Sequence, residues 1–296
     1  MDFGKAAPDE LGKIDFTLPA DHPRTAKILG RAKTAETAFY VGCAKWGRKE
    51  WIGSVYPEDT PETEFLTEYT KKFNCVELNA TFYKLPSVRQ VTEWREKALP
   101  GFKFCPKVND KITHIKRLKD AGEYTDVFIK GVRAFGDHLG PSLLQLPPNY
   151  PPKNFETLKE YLQTWPGDIP VSVEFRNPKW FENKASDEVF SMLEEVSRGA
   201  AITDAAGRRD ALHMRLTTPV AFIRFVGNGL HPTDYPRLDQ WAQRIQLWQS
   251  QGLQQLYFFI HQDDETHSPT LCKYLMEQIN FHCRANLQIP ALSVSA

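Results

Sequence analysis

Short β-rich runs alternate with segments of helical periodicity along most of the chain, and this alternation restricts the fold more than any other feature. Apolar residues recur at helical spacing between the runs, as Leu238, Trp241 and Ile245 do before Gly252. The segment after residue 204 has the weakest helical pattern. The runs, rich in β-branched and aromatic residues, are FYVG (39–42), CVELN (75–79), FKFCPK (102–107), SLLQL (142–146), PVSVEF (170–175), AAITD (200–204), AFIRFV (221–226) and LYFFIH (256–261).

Eight strands that alternate with helices over about 250 residues are typical of a (β/α)8 barrel. We therefore predict an α/β fold with a single TIM-type barrel over residues 39–296, preceded by an N-terminal arm over residues 1–38. One short helix is expected in the arm, near residues 25–33. A doubly wound open sheet is the alternative, but the turn after the first strand, GCAKWG (42–47), lacks the G-x-G-x-x-G pattern of that fold.

The charge balance and the lack of long apolar stretches narrow the range of partners. The 37 lysines and arginines equal the 37 aspartates and glutamates, so no overall positive field attracts nucleic acid or an anionic membrane. No apolar stretch approaches the ~20 residues of a membrane helix, and the N-terminus lacks the apolar core of a secretory signal. We expect a cytoplasmic protein with no membrane partner and no long nucleic acid partner.

The cysteines have no spacing typical of a metal site or a disulfide framework. Cys43, Cys75, Cys105, Cys272 and Cys283 are odd in number and widely separated, which predicts free thiols in a reducing compartment. No Walker loop, H-E-x-x-H or G-x-S-x-G pattern occurs in the sequence. We therefore expect no organic cofactor and no bound metal.

Polar and charged residues fall on the side of the predicted strands that faces the barrel interior. Because side chains alternate along a strand, PVSVEFRN directs Ser172, Glu174 and Arg176 inward, while Val171 and Val173 face the helices. Active sites of such barrels lie at the carboxyl ends of the strands. The strand ends together predict a ring of Glu77, Asn79, Lys107, Gln145, Glu174, Arg176, Asp204, Arg224 and His261.

Three interpretations of this ring are open. The first is an acid–base site, with Glu174 and Glu77 as general acid and base and Lys107, Arg176 and Arg224 holding a carboxylate or phosphate. The second is a set of ion pairs that only closes the barrel end. The third is a divalent metal held by the ring's carboxylates, including Asp204, and by His261, although the interleaved bases would repel a cation.

Loops after the strands add further candidates. KITHIKR (111–117) offers His114 as a base or as part of a solvated basic loop. The backbone of Gly227 and Asn228 lies where barrels often bind phosphate, although a plain turn explains these residues equally well. Tyr83 can stack on a ligand or pack beside the barrel mouth.

Several motifs in one order resemble the YecE-like family, known as domain of unknown function 72. They are YVGCAKW, VELNATFYKLPS, GFKFCPKV, ITHIKRL, LGPSLLQLPP, VSVEFRNPKW, ITDAAGRRD and FIRFVGNG. The resemblance runs from Tyr40 to near the C-terminus and implies a TIM-type barrel, but it brings no established reaction, cofactor or substrate. The end of the last strand departs from the family's asparagine-rich pattern, because FIHQD (259–263) stands there. The matching positions are Asn79, Thr81, Phe82, Tyr83, Lys107, Thr113, His114, Gln145, Leu146, Pro147, Glu174, Arg176 and Asp204.

The sequence therefore predicts an enzyme that performs acid–base chemistry on a small anionic substrate at the C-terminal face of the barrel. Glu174 is the principal acid or base, with Glu77, His114 or Asp204 as its partner. Asn79, Tyr83, Gln145 and the basic residues named above would bind the substrate. The alternatives are a divalent-metal-dependent hydrolase or isomerase and a non-catalytic binder of nucleotide or nucleic-acid phosphate.

Overall fold

Each predicted β-rich run forms a strand in the computed structural model, which describes residues 4–30 and 36–292. The observed ends lie within one residue of the predicted ones. The strands are β1 (Ala38–Cys43), β2 (Cys75–Leu78), β3 (Lys103–Pro106), β4 (Ser142–Gln145), β5 (Val171–Glu174), β6 (Gly199–Asp204), β7 (Val220–Val226) and β8 (Gln255–His261).

Helices follow most of the strands, and several begin or end at residues suited to that position. Ser87 caps the helix after it by accepting a hydrogen bond from the Gln90 amide at 3.2 Å, and Gly252 ends the helix before β8 with φ 111°. The α-helices of the described residues are α1 (Pro23–Leu29), α2 (Phe65–Thr70), α3 (Ala80–Tyr83), α4 (Val88–Lys97), α5 (Gly122–Arg133), α6 (Phe155–Thr164), α7 (Asn183–Glu195), α8 (Asp234–Gln251) and α9 (Ser268–Cys283).

The strands form a curled parallel sheet of six strands and a second parallel pair. The order in the larger sheet is β1-β8-β7-β6-β5-β4, and β2 pairs with β3. Two isolated parallel bridges, Phe104 to Leu139 and Lys107 to Leu143, link the β3 region to the β4 region. The predicted α/β class is therefore confirmed as a curled, largely parallel sheet with helices outside it. A closed eight-stranded barrel stays a prediction.

Strands β1 and β2 meet through side chains rather than through a backbone ladder. The Asn74 side chain accepts a hydrogen bond from the Val41 amide at 2.9 Å and donates one to the Phe39 carbonyl at 2.7 Å. The Tyr69 hydroxyl accepts from the Cys43 amide and donates to the Cys75 carbonyl. The backbones approach closely here, since a Cβ at Gly42 would lie 2.0 Å from the Cys75 carbonyl oxygen. Only glycine fits this position without displacing β2.

The N-terminal arm supplies a helix where the β6–β7 connection lacks one. Residues 205–219 contain only a short 3-10 turn, in agreement with their weak helical pattern. Helix α1 packs against α8, and its Arg24 forms an ion pair with Glu194 of α7. The Thr25 hydroxyl donates to the Met214 carbonyl and accepts from the Leu216 amide, which fixes α1 on the helix-free connection. The predicted arm helix extended to residue 33, but residues 31–35 lie outside the described part of the chain.

Among the residues that the structure describes, none of the helices is both long enough and apolar enough to serve as a membrane span.

Candidate functional site

Arg224 joins two glutamates from distant parts of the chain inside the curled sheet. Its Nε and Nη2 donate to both carboxylate oxygens of Glu77 at 2.7 and 3.0 Å, and its Nη1 donates to Glu174 Oε1 at 2.7 Å. All three side chains are at least 99% buried. Alternation places them here, because β2, β5 and β7 each direct one of these side chains toward the interior. We call Glu77, Glu174 and Arg224 the charged floor.

Four further side chains complete the hydrogen bonding of the charged floor. The Thr203 hydroxyl donates to Glu174 Oε1 at 2.8 Å, and the Gln145 amide donates to Glu174 Oε2. On the other carboxylate, the Asn79 amide lies 3.2 Å from Glu77 Oε1, and His261 Nε2 lies 3.2 Å from Glu77 Oε2. Both glutamates are therefore engaged at both oxygens, as buried carboxylates require.

These contacts keep both glutamates ionised. Burial is the largest single effect and raises the pKa of each carboxyl, but it is outweighed by the Arg224 charge acting together with the other positive charges and hydrogen bonds around each glutamate. The pKa of Glu77 lies well below its usual range, and the pKa of Glu174 falls to about 2. A carboxyl with so low a pKa is a poor proton donor at neutral pH. This placement does not favour Glu174 as the general acid that the sequence predicts.

The low pKa of Glu174 predicts an acid-sensitive contribution to stability. In the unfolded chain its pKa is near the ordinary value of 4.5, so the stability it contributes is complete above that pH and is lost as the pH falls toward 2. The Glu174→Gln variant should be less stable than the parent protein at pH 7, and the difference should shrink progressively below pH 5. Denaturant unfolding between pH 3 and pH 7 measures this difference.

The exposed Glu62 provides a control for that measurement, because its ion pair with Lys49 lies at the surface. Glu62→Gln should leave the pH profile unchanged. A constant difference between Glu174→Gln and the parent protein over the whole range would contradict the assignment.

A cavity of about 840 Å3 opens above the charged floor, at the carboxyl ends of the strands. Polar and charged side chains make up most of its wall, and three aromatic side chains, Trp46, Phe82 and Tyr83, lie among them. Glu77 reaches the cavity, whereas Glu174 and Arg224 lie beneath its lining. The lining residues are Ala44, Lys45, Trp46, Gly47, Glu77, Leu78, Asn79, Ala80, Phe82, Tyr83, Lys107, His114, Gln145, Arg176, His261, Gln262, Asp263 and Glu265.

Lys107 extends from the end of β3 into this cavity. Its Nζ lies 4.0 Å from the centre of the Phe82 ring. The ring is held in place because Thr81 donates to the Lys107 carbonyl at 2.7 Å and Asn109 donates to the Phe82 carbonyl at 2.9 Å. Burial, followed by the positive charge of Arg224, lowers the pKa of Lys107 to about 8. Lys107 can therefore hold or release a proton near neutral pH.

His114 lies in a wide helical turn of the π type at Lys111–Ile115, a local geometry that is frequent at functional sites. Its ring contacts the edge of Phe82 at a centroid distance of 5.0 Å, and its Nδ1 lies 2.8 Å from the Thr113 hydroxyl. Burial, together with the charges of Lys107 and Arg176, lowers the pKa of His114 to about 4. The imidazole is therefore neutral at physiological pH and can accept a proton.

Arg176 brings a further positive charge to the cavity from the segment after β5. Its side chain is largely buried, and its Nε lies 3.6 Å from Glu174 Oε2. Arg208 donates to the Arg176 carbonyl at 2.8 Å and fixes the backbone there. Lys107, Arg176 and Arg224 thus face the two carboxylates of the floor, and Asp263 and Glu265 also line the cavity.

Gln262 is a cavity residue that the sequence reasoning missed. Its Oε1 accepts a hydrogen bond from the Gly229 amide at 2.9 Å, while its buried Nε2 has no hydrogen-bond partner among residues 4–30 and 36–292. This amide is free to donate a hydrogen bond to a water molecule or to a ligand in the cavity. The signal was the position of Gln262 directly after β8, at the strand end where sites of this architecture lie.

Asp204 lies outside the cavity, because Thr203 is the residue at the end of β6 that faces inward. Asp204 points to α8, where it accepts hydrogen bonds from Arg237 Nη2 at 2.9 Å and Trp241 Nε1 at 2.8 Å. Arg209 donates to it as well. These contacts are structural, so the catalytic role predicted for Asp204 finds no support in its position.

The predicted phosphate loop is also occupied by internal contacts. The Gly227 amide donates to the His261 carbonyl, the Asn228 amide donates to the Asp234 carboxylate, and the Gly229 amide donates to Gln262. No amide of this tripeptide is left for a phosphate, and Gly227 and Asn228 do not line the cavity. Tyr83 lies at the cavity rim with 77% of its side chain exposed.

Within residues 4–30 and 36–292, no group of three His, Cys, Asp or Glu side chains is arranged to hold a metal ion. The five cysteines carry free, buried thiols. The closest pair, Cys43 and Cys272, has its sulfur atoms 3.5 Å apart.

The fold and the site define an α/β protein whose curled parallel sheet carries a charged cavity at the carboxyl ends of its strands. The chain belongs to the DUF72 family, because the model of that family, described as a protein of unknown function, matches residues 40–292.

Curated relatives and solved structures agree with this membership. UPF0759 protein YecE of Escherichia coli (strain K12) is 26% identical over 260 residues, which cover 81% of this chain and 92% of that protein. UPF0759 protein YunF of Bacillus subtilis (strain 168) is 28% identical over 163 residues, which cover 52% and 56% of the two chains.

Two crystal structures of DUF72 family proteins show the same fold. The protein from Enterococcus faecalis V583 matches with a TM-score of 0.64 at 14% identity, covering 84% of this chain and 99% of that one. The protein from Thermotoga maritima MSB8 matches with a TM-score of 0.60 at 23% identity, covering 84% and 100%.

Proposed function

We propose that this chain is an enzyme that performs acid–base chemistry on a small anionic substrate, carboxylated or phosphorylated, bound in the cavity. The observation that carries the proposal is the grouping of Lys107, His114 and Arg176 on the cavity wall, above carboxylates that are already fully engaged. Because Lys107 and Arg176 are largely buried, an anion that reaches them interacts with their charges more strongly than it would in water.

The roles within the site follow from the charge state of each group. Arg176 binds the anionic group, since a guanidinium matches the geometry of carboxylate and phosphate oxygens. His114 accepts a proton as a neutral imidazole, and Lys107 donates or accepts one because its pKa lies near neutrality. Glu77 and Glu174 bind Arg224, and their negative charges contribute to the electrostatic potential at Lys107. A metal-dependent reaction is less favoured, because Arg224 already occupies the carboxylates that would bind the metal.

The proposal includes a closed (β/α)8 barrel over residues 39–296, with residues 1–38 as an arm. Ladders or bridges join all neighbouring strands around the ring except β1 and β2. The hydrogen bonds of Asn74 and Tyr69 support closure at that remaining position. The free thiols support a reducing, cytoplasmic location.

Replacing Arg176 with glutamine should weaken anion binding by at least about tenfold, because a charge-assisted hydrogen bond is worth ~1.5–3 kcal/mol. Titration calorimetry with inorganic phosphate and with pyruvate measures the affinity. Binding at pH 8 should also take up protons, since an anion raises the pKa of Lys107, which is about half neutral at that pH. Repeating the titration in buffers of different ionisation enthalpy measures this uptake.

Arg133→Gln is the matched control, because Arg133 is exposed and pairs with Asp168 at the surface. It should leave affinity and proton uptake unchanged. Absence of saturable binding to both anions, or equal affinity of Arg176→Gln and the parent protein, would contradict the proposed site. Binding without proton uptake would favour a non-catalytic anion binder instead.

A further inference from the structure

Lys107 carries an amine that the described part of the chain leaves without a hydrogen-bond acceptor or an ion-pair partner. Its one recorded contact is the face of the Phe82 ring. The side chain is nevertheless 94% buried. Buried ammonium groups are normally paired with carboxylates, because removing an unpaired charge from water is costly. The position of Lys107 therefore suits an amine that spends part of its time neutral.

Four charged groups around Lys107 act on its charge in opposite directions. Arg224 of β7 and Arg176 after β5 both repel its positive charge, while Glu77 of β2 and Glu174 of β5 attract it. Arg224 neutralises much of that attraction, because it lies between the two glutamates. With burial added, the pKa of Lys107 falls to about 8. An amine beside other cations in a partly apolar pocket is the known arrangement for a nucleophilic lysine.

Two neighbours supply the remaining groups that amine chemistry with a carbonyl compound requires. His114 contacts the same Phe82 ring as Lys107 and is a neutral base. Arg176 lines the same cavity and suits a carboxylate or phosphate on the reactant.

We propose that Lys107 forms an imine with an aldehyde or ketone that carries a carboxylate or phosphate group. The Nζ lone pair attacks the carbonyl carbon, and the carbonyl electron pair moves to oxygen. The two Nζ protons pass in turn through His114 to this oxygen. The first gives the neutral carbinolamine, and the second releases its hydroxyl as water while the C=N bond forms. Amine and carbonyl give imine and water, with no oxidant or reductant. The inference rests on the proposed function only for the anionic group of the substrate.

Reductive labelling of the full chain tests this inference without knowledge of the natural substrate. The protein is treated at pH 7.5 with sodium cyanoborohydride and either glyoxylate or acetaldehyde, and labelled lysines are quantified by peptide mass spectrometry. Lys45 is the internal control, because it lines the same cavity but is exposed. At this pH an amine of pKa about 8 is roughly one-quarter neutral, against about one in a thousand for an ordinary lysine. Lys107 should therefore be labelled at least about tenfold faster than Lys45.

The two reagents separate this inference from the proposed function. With glyoxylate the ratio of Lys107 to Lys45 labelling should exceed the ratio with acetaldehyde, and the Lys107 rate should rise with a midpoint near pH 8. If Lys107 is labelled no faster than Lys45 by either reagent, the imine is ruled out, although anion binding that depends on Arg176 would still support the site. Fast labelling with equal ratios would support the nucleophilic lysine and contradict the anion site. Lys107→Arg should lose the label from the peptide that contains residue 107, while the label on Lys45 stays the same.

Discussion

Replacing Arg224 with methionine is expected to lower the free energy of unfolding by about 3–5 kcal/mol at pH 7. The variant leaves Glu77 and Glu174 buried side by side, without the guanidinium that bridges them. Methionine fills most of the space, so the loss comes from the two uncompensated carboxylates rather than from a cavity. Urea or guanidinium unfolding of the two proteins measures the difference.

Acid should relieve much of this loss, because at least one of the glutamates can then take up a proton and remain buried without a charge. Arg133→Met is the control at the surface, where the ion pair with Asp168 is worth ~0–1 kcal/mol. A loss at Arg224 no larger than that at Arg133, or one that does not shrink on acidification, would show that the charged floor is not held together by this arginine.

Replacing Asp204 with asparagine is expected to cost about 3–5 kcal/mol as well, but with phosphate and pyruvate affinity unchanged. The carboxylate is fully buried and balances Arg237, which is itself fully buried. Asparagine keeps the shape but not the charge, and its amide cannot accept from Arg237, Arg209 and Trp241 together. Unfolding experiments and anion titration on the same preparation separate the structural effect from the functional one.

Asp210 supplies the comparison, because it lies in the same loop and pairs with Arg208 at the surface. Asp210→Asn should change stability by less than ~1 kcal/mol. The anion titration is done at a temperature where Asp204→Asn is folded. Weaker anion binding by this variant would show that Asp204 contributes to the site, which would contradict its placement toward α8.

The inward residues of the strands could be predicted from sequence because their direction is a local property. Side chains alternate along each strand, so a known strand end assigns Glu77, Glu174 and Arg224 to one side without any knowledge of neighbouring strands. The same rule fails at Asp204 although the end of β6 was predicted correctly, because the run AAITD does not itself indicate which of its faces points inward. Thr203 is the residue whose side chain points inward at the end of β6, whereas the prediction was Asp204.

The charge state of the site could not be predicted, because it depends on distances across the sheet. A single arginine on β7 reaches carboxylates on both β2 and β5, which leaves Glu174 ionised and moves proton exchange to Lys107 and His114. No pattern within one strand contains that information. The sequence also could not show whether the Gly227 amide is free to bind a phosphate, because the His261 carbonyl that accepts its hydrogen bond belongs to another strand.

The position of helix α1 in the fold could not be predicted from its local sequence either. The sequence places a short helix near Thr25, but nothing in its pattern says that it occupies the helix-free connection between β6 and β7. That position follows from contacts with Glu194 and Met214, which lie far along the chain. Long-range complementarity of this kind appears only when the elements are assembled.

The contact between β1 and β2 limits which substitutions this chain can accept in evolution. A β-ladder is built from backbone atoms that every residue except proline supplies, so its hydrogen bonds survive most substitutions. Here the bonds belong to the side chains of Asn74 and Tyr69, and the close approach depends on Gly42 having none. The contact between these strands is therefore inherited through three residue identities. A descendant that loses one of them has to join β1 to β2 by another route.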